Sequence, residues 1–351
     1  MSRRTVSSII AVVALVALFG VAAMLPVPYV TMSPGPTLDV LAERQGEEIV
    51  QIDGERSYPT KGTLELTTIS VTSPERELGL AEVLGAWFDK TRAVYPRDAI
   101  YLPEQTAEDV EAEGDVEMIS SQDTAIAAAL SELGYDLGMS TEVFDVTEDG
   151  PADGKLKARD RIISVDGAKV RDADAVVEAV QQAGVGGTLR FEVLRAGERR
   201  TVSLRPAPGE DDPDQARVGV TVGGGYDFPF AVEVNIDDSI GGPSAGLIFA
   251  LAVYDSLTPG ALTGGRHIAG TGTITADGTV GPIGGIQQKI VAAADTGGDL
   301  FLVPADNCDS ALEAAVEEDE IELVKAATLR SAVRSIRAFA DDPDAELPRC
   351  G

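Results

Sequence analysis

Between Ile9 and Leu25 the chain runs for 17 residues without a charged side chain, and Pro26 and Pro28 close the run. That is the short end of the roughly 17–25 residues that cross a bilayer as a helix. Past it the pattern changes. Thr63–Val71 alternates and is rich in β-branched residues, which predicts a strand. Leu78–Phe88 has helical spacing, as does Thr124–Leu133, while the acidic stretch Glu104–Glu117 reads as an exposed loop. Thr141–Val146 predicts another strand, followed by a turn at Gly150-Pro151 and an apolar run that ends in the tight turn Asp166-Gly167. Asp174–Gln182 is helical in period, and Thr188–Leu194 with Arg200–Leu204 form a hairpin around Ala196-Gly197. The proline-rich, polar segment Pro206–Asp214 reads as a linker. After it, two glycine turns each open an apolar helix, Gly241–Leu251 and Gly281–Ala294. Strands and helices in this order predict an α+β fold.

Composition narrows the chemistry. With 28 Lys+Arg against 58 Asp+Glu the formal net charge is −30. A surface so poor in cations does not suit nucleic acid, whose phosphates must be neutralised by Lys and Arg. The single histidine, His267, excludes histidine-rich metal sites, so no metal or cofactor is expected. It also means that a Ser-His-Asp triad would have to use this one residue. No acid partner for His267 is evident from its neighbours, and it reads as structural or exposed. The base, if the protein is an enzyme, is then another residue type.

Ser2-Arg3-Arg4 precedes the apolar run, which is either a membrane anchor or a signal peptide. No small-x-small cleavage site follows it, which favours an uncleaved anchor. The arginines then place the N-terminus in the cytoplasm and the bulk of the chain outside. In that oxidising compartment Cys308 and Cys350 read as one disulfide tying the C-terminal tail to the last domain, the alternative being two thiols.

The two glycine-to-helix segments carry the candidate catalytic groups. In Gly241-Gly242-Pro243-Ser244-Ala245-Gly246, Ser244 sits at the positive end of a helix, where free N–H groups stabilise an oxyanion. A helix-capping serine prefers the same position. Lys289 shares a helix face with Ile286, Ile290 and Ala293, and no Asp or Glu occurs from Gly281 to Ala294. A lysine among apolar residues and without a counter-ion has a depressed pKa, and its neutral amine removes a proton from a hydroxyl. The alternative is a snorkelling surface lysine.

Here two resemblances enter. Residues 134–207, with GPADGKLKARDRIISVDG at their centre, resemble a PDZ domain of the type attached to bacterial proteases. Such a module adds an extended peptide as a strand beside a sheet edge. The resemblance puts its carboxylate loop just before the first strand, at Leu137, Gly138 and Met139. GGPSAGLIFAL and GTGTITADGTVGPIGGIQQKIVAAA, with Ser244 and Lys289 45 residues apart, resemble the proteolytic domain of Lon proteases, which use a Ser-Lys dyad. That resemblance makes Ser244 the nucleophile and Lys289 the general base. It sets Thr271 beside them, with Gly242, Pro243 and Ala245 as supporting residues around the oxyanion. It also implies a homo-oligomer, a hexamer in many Lon proteins.

Two features depart from that family. Many Lon sequences have Asp where Gly241 stands, and no G-x-x-x-x-G-K-[ST] phosphate loop occurs, so cleavage independent of ATP is implied. The expected layout is a cytoplasmic tip and anchor at 1–28 and an N-terminal α/β region at 29–125 that supplies the first part of the Lon-like domain. The PDZ-like insert at 134–207, the remaining Lon-like part at 208–340 and a tail at 341–351 follow. The expected activity is serine endopeptidase action on peptides or unfolded protein segments outside the cytoplasmic membrane. The alternative is an anchored PDZ scaffold that does not cut.

Overall fold

The computed structural model describes residues 3–351 except 45, 196, 210, 211, 238, 239, 318 and 319. Ser2, the side chains of Arg3 and Arg4, the turn residue Ala196 and the linker residues Glu210 and Asp211 therefore lie outside the described residues. The apolar run is a helix, α1 (Arg3–Ala23), whose segment Thr5–Ala23 has a mean hydropathy of 2.6 and no buried part. At 1.5 Å per residue its 21 residues measure about 30 Å, one bilayer core.

A six-stranded sheet is assembled from both halves of the chain. The first half gives β1 (Tyr29–Asp39), β2 (Thr63–Val71), the helix α2 (Leu80–Phe88) and β3 (Ala93–Pro96). Next comes a 26-residue helix, α3 (Ala107–Glu132), which covers most of the segment expected to be a loop and merges it with the helix expected from Thr124. The reason is local. Thr106 accepts from Asp109 N–H at 3.1 Å and Asp109 accepts from Thr106 N–H at 2.9 Å, a reciprocal cap that starts the helix in acidic sequence. Carboxylates in its first turn also suit the positive end of the dipole. The far half of α3, Ala125–Leu130, is buried and supplies the packing energy.

The second unit comprises β4 (Gly138–Val146), β5 (Arg161–Val165), α4 (Ala173–Ala183), β6 (Leu189–Arg195), β7 (Glu198–Leu204) and β8 (Val220–Asp227). Its strand order is β7-β6-β5-β4-β8. The Pro206–Asp214 segment is thus an excursion within this unit, because β8 returns to pair antiparallel with β4 from Val220↔Val146 to Asp227↔Gly138. Arg159, at the entrance to β5, reaches back to α3 and bonds Asp123 Oδ1 at 3.0 Å and Gln122. Beside them Glu142 is pushed up to about 8, first by burial and then by Asp123.

The last third gives α5 (Gly246–Leu257), β9 (His267–Gly270), α6 (Ile286–Asp295), β10 (Leu300–Pro304), β11 (Glu322–Ala326) and α7 (Leu329–Asp341). The main sheet runs β11-β10-β9-β2-β1-β3, parallel from β11 to β2 and antiparallel beyond. The period of two sends Ile268, Leu300 and Leu302 into the core shared with α3, α5 and α7. Ala269, Phe301 and Val303 go to the opposite face, onto α6. Leu247–Val253 of α5 are all buried, so this helix is enclosed rather than striped.

Cys308 and Cys350 form a disulfide with Cα atoms 5.1 Å apart and a sequence separation of 42. Closing a loop of that length is worth about 4 kcal/mol in the chain-entropy account. Reduction is therefore expected to lower the melting temperature by several degrees, measured by circular dichroism with and without a phosphine reductant. An unchanged transition would mean that the bond constrains nothing.

Candidate active site

The site forms beyond the carboxyl end of β9, where helices from opposite faces of the sheet converge, a position favoured for ligands in sheets with parallel strands. Ser244 lies in a short 3-10 turn, Pro243–Ala245, which leads directly into α5. The turn is entered through Gly242 at φ +91°, a conformation that a side chain resists. Lys289 stands one turn into α6, whose start is set by Gly285 at φ +68°.

Lys289 Nζ lies 2.8 Å from Ser244 Oγ and 3.0 Å from Thr271 Oγ1. The Thr271 hydroxyl in turn donates to the Ser244 carbonyl at 3.0 Å, and Gly272 N–H donates to the same oxygen at 2.9 Å. Two donors therefore fix the backbone of Ser244 while Lys289 meets its hydroxyl. Lys289 is only 2% exposed, and no ion pair to it is found among the described residues. Burial alone pushes its ammonium down to about 8. Ser244, Lys289 and Thr271 are thus brought together.

The supporting loop differs from expectation. Pro243 has no N–H, and Gly242 N–H is already given to Gly114 O at 3.2 Å. Of that stretch, Ser244 and Ala245 are left to supply amides to an oxyanion. A cavity of about 550 Å³ opens beside them, lined by Thr67–Val71 of β2, Met118, Ile240, Ser244 and Lys289. A larger recess of about 700 Å³ near Leu312, Arg349 and Cys350 contains no nucleophile with a base.

His267 lies apart from Ser244 and does have an acid partner, since its Nε2 is 2.8 Å from Glu65 Oε2. Strand register puts His267 opposite Thr63, one pleat from Glu65. Thr296 Oγ1 donates to the same carboxylate at 2.8 Å, so the group is a structural network around the buried Glu65.

The expected peptide loop at Leu137, Gly138 and Met139 is not a loop. Gly138 and Met139 are the paired start of β4, opposite Asp227 and Tyr226, and Leu137 packs on the main core. With β4 paired on both sides, the open edges of this sheet are β7 and β8. The β8 edge is the one flanked by a helix. Gln181 of α4 bonds the Ala216 carbonyl at 2.8 Å and the Ala216 N–H at 3.2 Å, and Gly219 turns into β8 at φ +70°. Sequence reading also missed the first part of α3, whose Ser121 Oγ donates to Pro243 O at 3.1 Å. Gly114 in mid-helix was the available signal, because its missing side chain lets α3 approach Gly241 closely.

Two segments of the chain match known protein families. Residues 238–334 match the Lon protease (S16) C-terminal proteolytic domain, and residues 116–205 match the PDZ domain. The chain thus carries a segment similar to the Lon proteolytic domain and one similar to a PDZ domain, preceded by one helix long and apolar enough to cross a membrane. The Lon protease of Lachnoclostridium phytofermentans is 29% identical over 168 residues, 44% of this chain and 20% of that protein. Lon protease 1 of Bacillus subtilis is 30% identical over 161 residues, 42% of this chain and 20% of that protein. The chain thus spans about a fifth of the length of these curated relatives. A solved PDZ domain, from the SdrC-like protein of Listeria innocua, shares 23% identity over 24% of this chain and 92% of its own, with a TM-score of 0.22.

Proposed function

We propose that the protein is a serine endopeptidase that works without ATP, is held in the cytoplasmic membrane by α1 and acts outside it. The observation that carries this reading is the buried, unpaired Lys289 amine 2.8 Å from Ser244 Oγ. Neutral Lys289 takes the Ser244 proton as Oγ attacks the substrate carbonyl, and the amides of Ser244 and Ala245 receive the oxyanion. The tetrahedral intermediate collapses to an ester on Ser244, and the leaving amine takes the proton back from Lys289. Water, deprotonated by Lys289, then hydrolyses the ester. The PDZ unit binds an extended peptide or unfolded segment along β8 and presents it to the cleft. By resemblance the assembly is a homo-oligomer, which light scattering of the purified chain would measure.

The test is labelling of the full chain in detergent with a fluorophosphonate, followed by peptide mapping. One adduct on Ser244, lost in Ser244→Ala, is expected. A folded chain that takes no label at alkaline pH would sink the reading in favour of a scaffold that does not cut.

Thr271 gives a finer test. Thr271→Val removes the oxygen that accepts from Lys289 and the hydroxyl that holds the Ser244 carbonyl. Hydrogen bonds involving a charged group are worth about 1.5–3 kcal/mol, so kcat is expected to fall about 10–100-fold with KM little changed. Thr271→Ser, which keeps the hydroxyl, should retain most activity in the same peptide assay.

A further inference from the structure

The chain's single tryptophan faces away from the protein. Helix α2 buries Val83 and Ala86 against the body, while Leu84, Trp87 and Phe88, spaced i, i+3 and i+4, point outward. Trp87 is 68% exposed and Phe88 83%. A surface helix of a soluble domain carries polar residues on that face. Here the outward side of the last two turns is apolar, and only Glu82 near the start is charged.

The position of α2 names what covers it. Pro26-Val27, immediately after α1, pair antiparallel with Leu78-Gly79, and Leu80 N–H at the start of α2 donates to Leu25 O at 3.1 Å. The apolar face therefore begins at the level where the spanning helix leaves the bilayer. Among the described residues outside α1, 8 of the 12 exposed large apolar side chains fall within 24–29 and 84–102. That concentration falls in the two segments paired beside the foot of α1 rather than being scattered singly over the surface. Lys90 and Arg92 lie two and four residues past Phe88 in a chain of net charge −30, with Arg92 paired to the intervening Asp89 at 3.3 Å. Aromatic rings next to cations at the end of a span are the composition of a membrane–water interface.

We propose that α2 lies in the interfacial layer of the bilayer, with Leu84, Trp87 and Phe88 among the headgroups and first acyl carbons, and that this holds the catalytic cleft against the membrane. The inference rests on the anchored-peptidase reading above and supplies its substrate class. Val71, in the cleft wall, pairs with Met32, which follows Leu25 by seven residues. An extended chain covers at most about 25 Å over that distance. The cleft is thus within reach of juxtamembrane segments of other membrane proteins on the outer side, and those are the substrates this geometry selects.

Because Trp87 is the only tryptophan, intrinsic emission of the wild-type full chain reports this site alone. The chain is reconstituted into vesicles of phosphatidylcholine and phosphatidylglycerol, or of the same lipids brominated either close to the carbonyls or close to the chain ends. Blue-shifted emission is expected, quenched more by the shallow bromines than by the deep ones and unchanged on dilution with lipid. Emission indifferent to both bromolipids while the chain floats with the vesicles would overturn the inference and leave the anchor standing. A blue shift that disappears on lipid dilution would assign the patch to a second copy of the chain and overturn it equally. A chain that does not float removes the anchor and this inference together. In a second arm, Trp87→Glu with Phe88→Glu is expected to slow cleavage of a bilayer-tethered peptide about tenfold while a soluble peptide is cut as before. Equal effects on the two substrates would also sink the proposal.

Discussion

Replacing Lys289 by methionine is expected to abolish peptide hydrolysis, lowering kcat/KM by about a thousandfold or more, while the melting temperature holds or rises. The two effects have one physical origin. The amine is buried among apolar groups with no counter-ion, which depresses it from 10.5 to about 8. A depression of that size corresponds to about 3 kcal/mol of folding free energy lost to holding the charged form in the interior at neutral pH. Methionine fills similar space without that cost, but it cannot take the Ser244 proton. Ser244→Ala is expected to lose as much activity, and the double variant no more than either single one, because groups acting as a unit are not additive. The sign of the pH dependence follows. Activity requires the neutral amine, so the wild-type rate should rise with pH through about 8. Since the folded value lies below the unfolded one, the unfolded chain binds more protons between about 8 and 10.5, and stability also rises across that window. Lys289→Met should flatten that rise. More than about a tenth of wild-type hydrolysis in Lys289→Met would remove the lysine from the mechanism.

The largest stability effect is expected at Arg195→Met in the PDZ unit. Asp160 is fully buried, and Arg195 bonds both of its oxygens at 2.6 Å through Nε and Nη2. Lys157 N–H adds a third bond at 2.9 Å. Removing the guanidinium alone leaves a buried carboxylate unpaired, which costs about 3–5 kcal/mol, a large part of what a domain of this size has. Adding Asp160→Asn should recover much of the loss, because the uncompensated charge goes with it. Urea unfolding of the wild type and both variants measures this. If Arg195→Met costs less than about 1 kcal/mol, the pair is solvated rather than buried.

What the sequence revealed depended on whether a residue's signal was local. Ser244 and Lys289 stood out because each sits at a glycine-to-helix junction, and because an acid-free helix is conspicuous in so acidic a chain. The acidic half of α3 was hidden by its composition, which resembles a solvated loop. Its true signal was the pair Thr106 and Asp109, three residues apart. Strand β8 was hidden by Gly223-Gly224-Gly225, a run that lacks side chains to alternate, so the start of β4 at Gly138 and Met139, which pairs with β8, was read as a carboxylate loop. The partner of His267 lay 202 residues upstream, at Glu65, where no spacing rule reaches.

That same long-range pairing sets a schedule for synthesis. Strand β2 has its parallel partner in β9, about 200 residues later in the chain. At about 5–20 residues per second the wait is roughly 10–40 s. During that interval β1 and β2, with the apolar Leu64 and Leu66, lack the rest of their sheet. The PDZ unit, whose strands are complete by Asp227, is the first part able to close. The nascent chain thus carries a closed PDZ-like unit for some time before Ser244 and Lys289 exist in one molecule, and the candidate site forms only when the last third of the chain emerges.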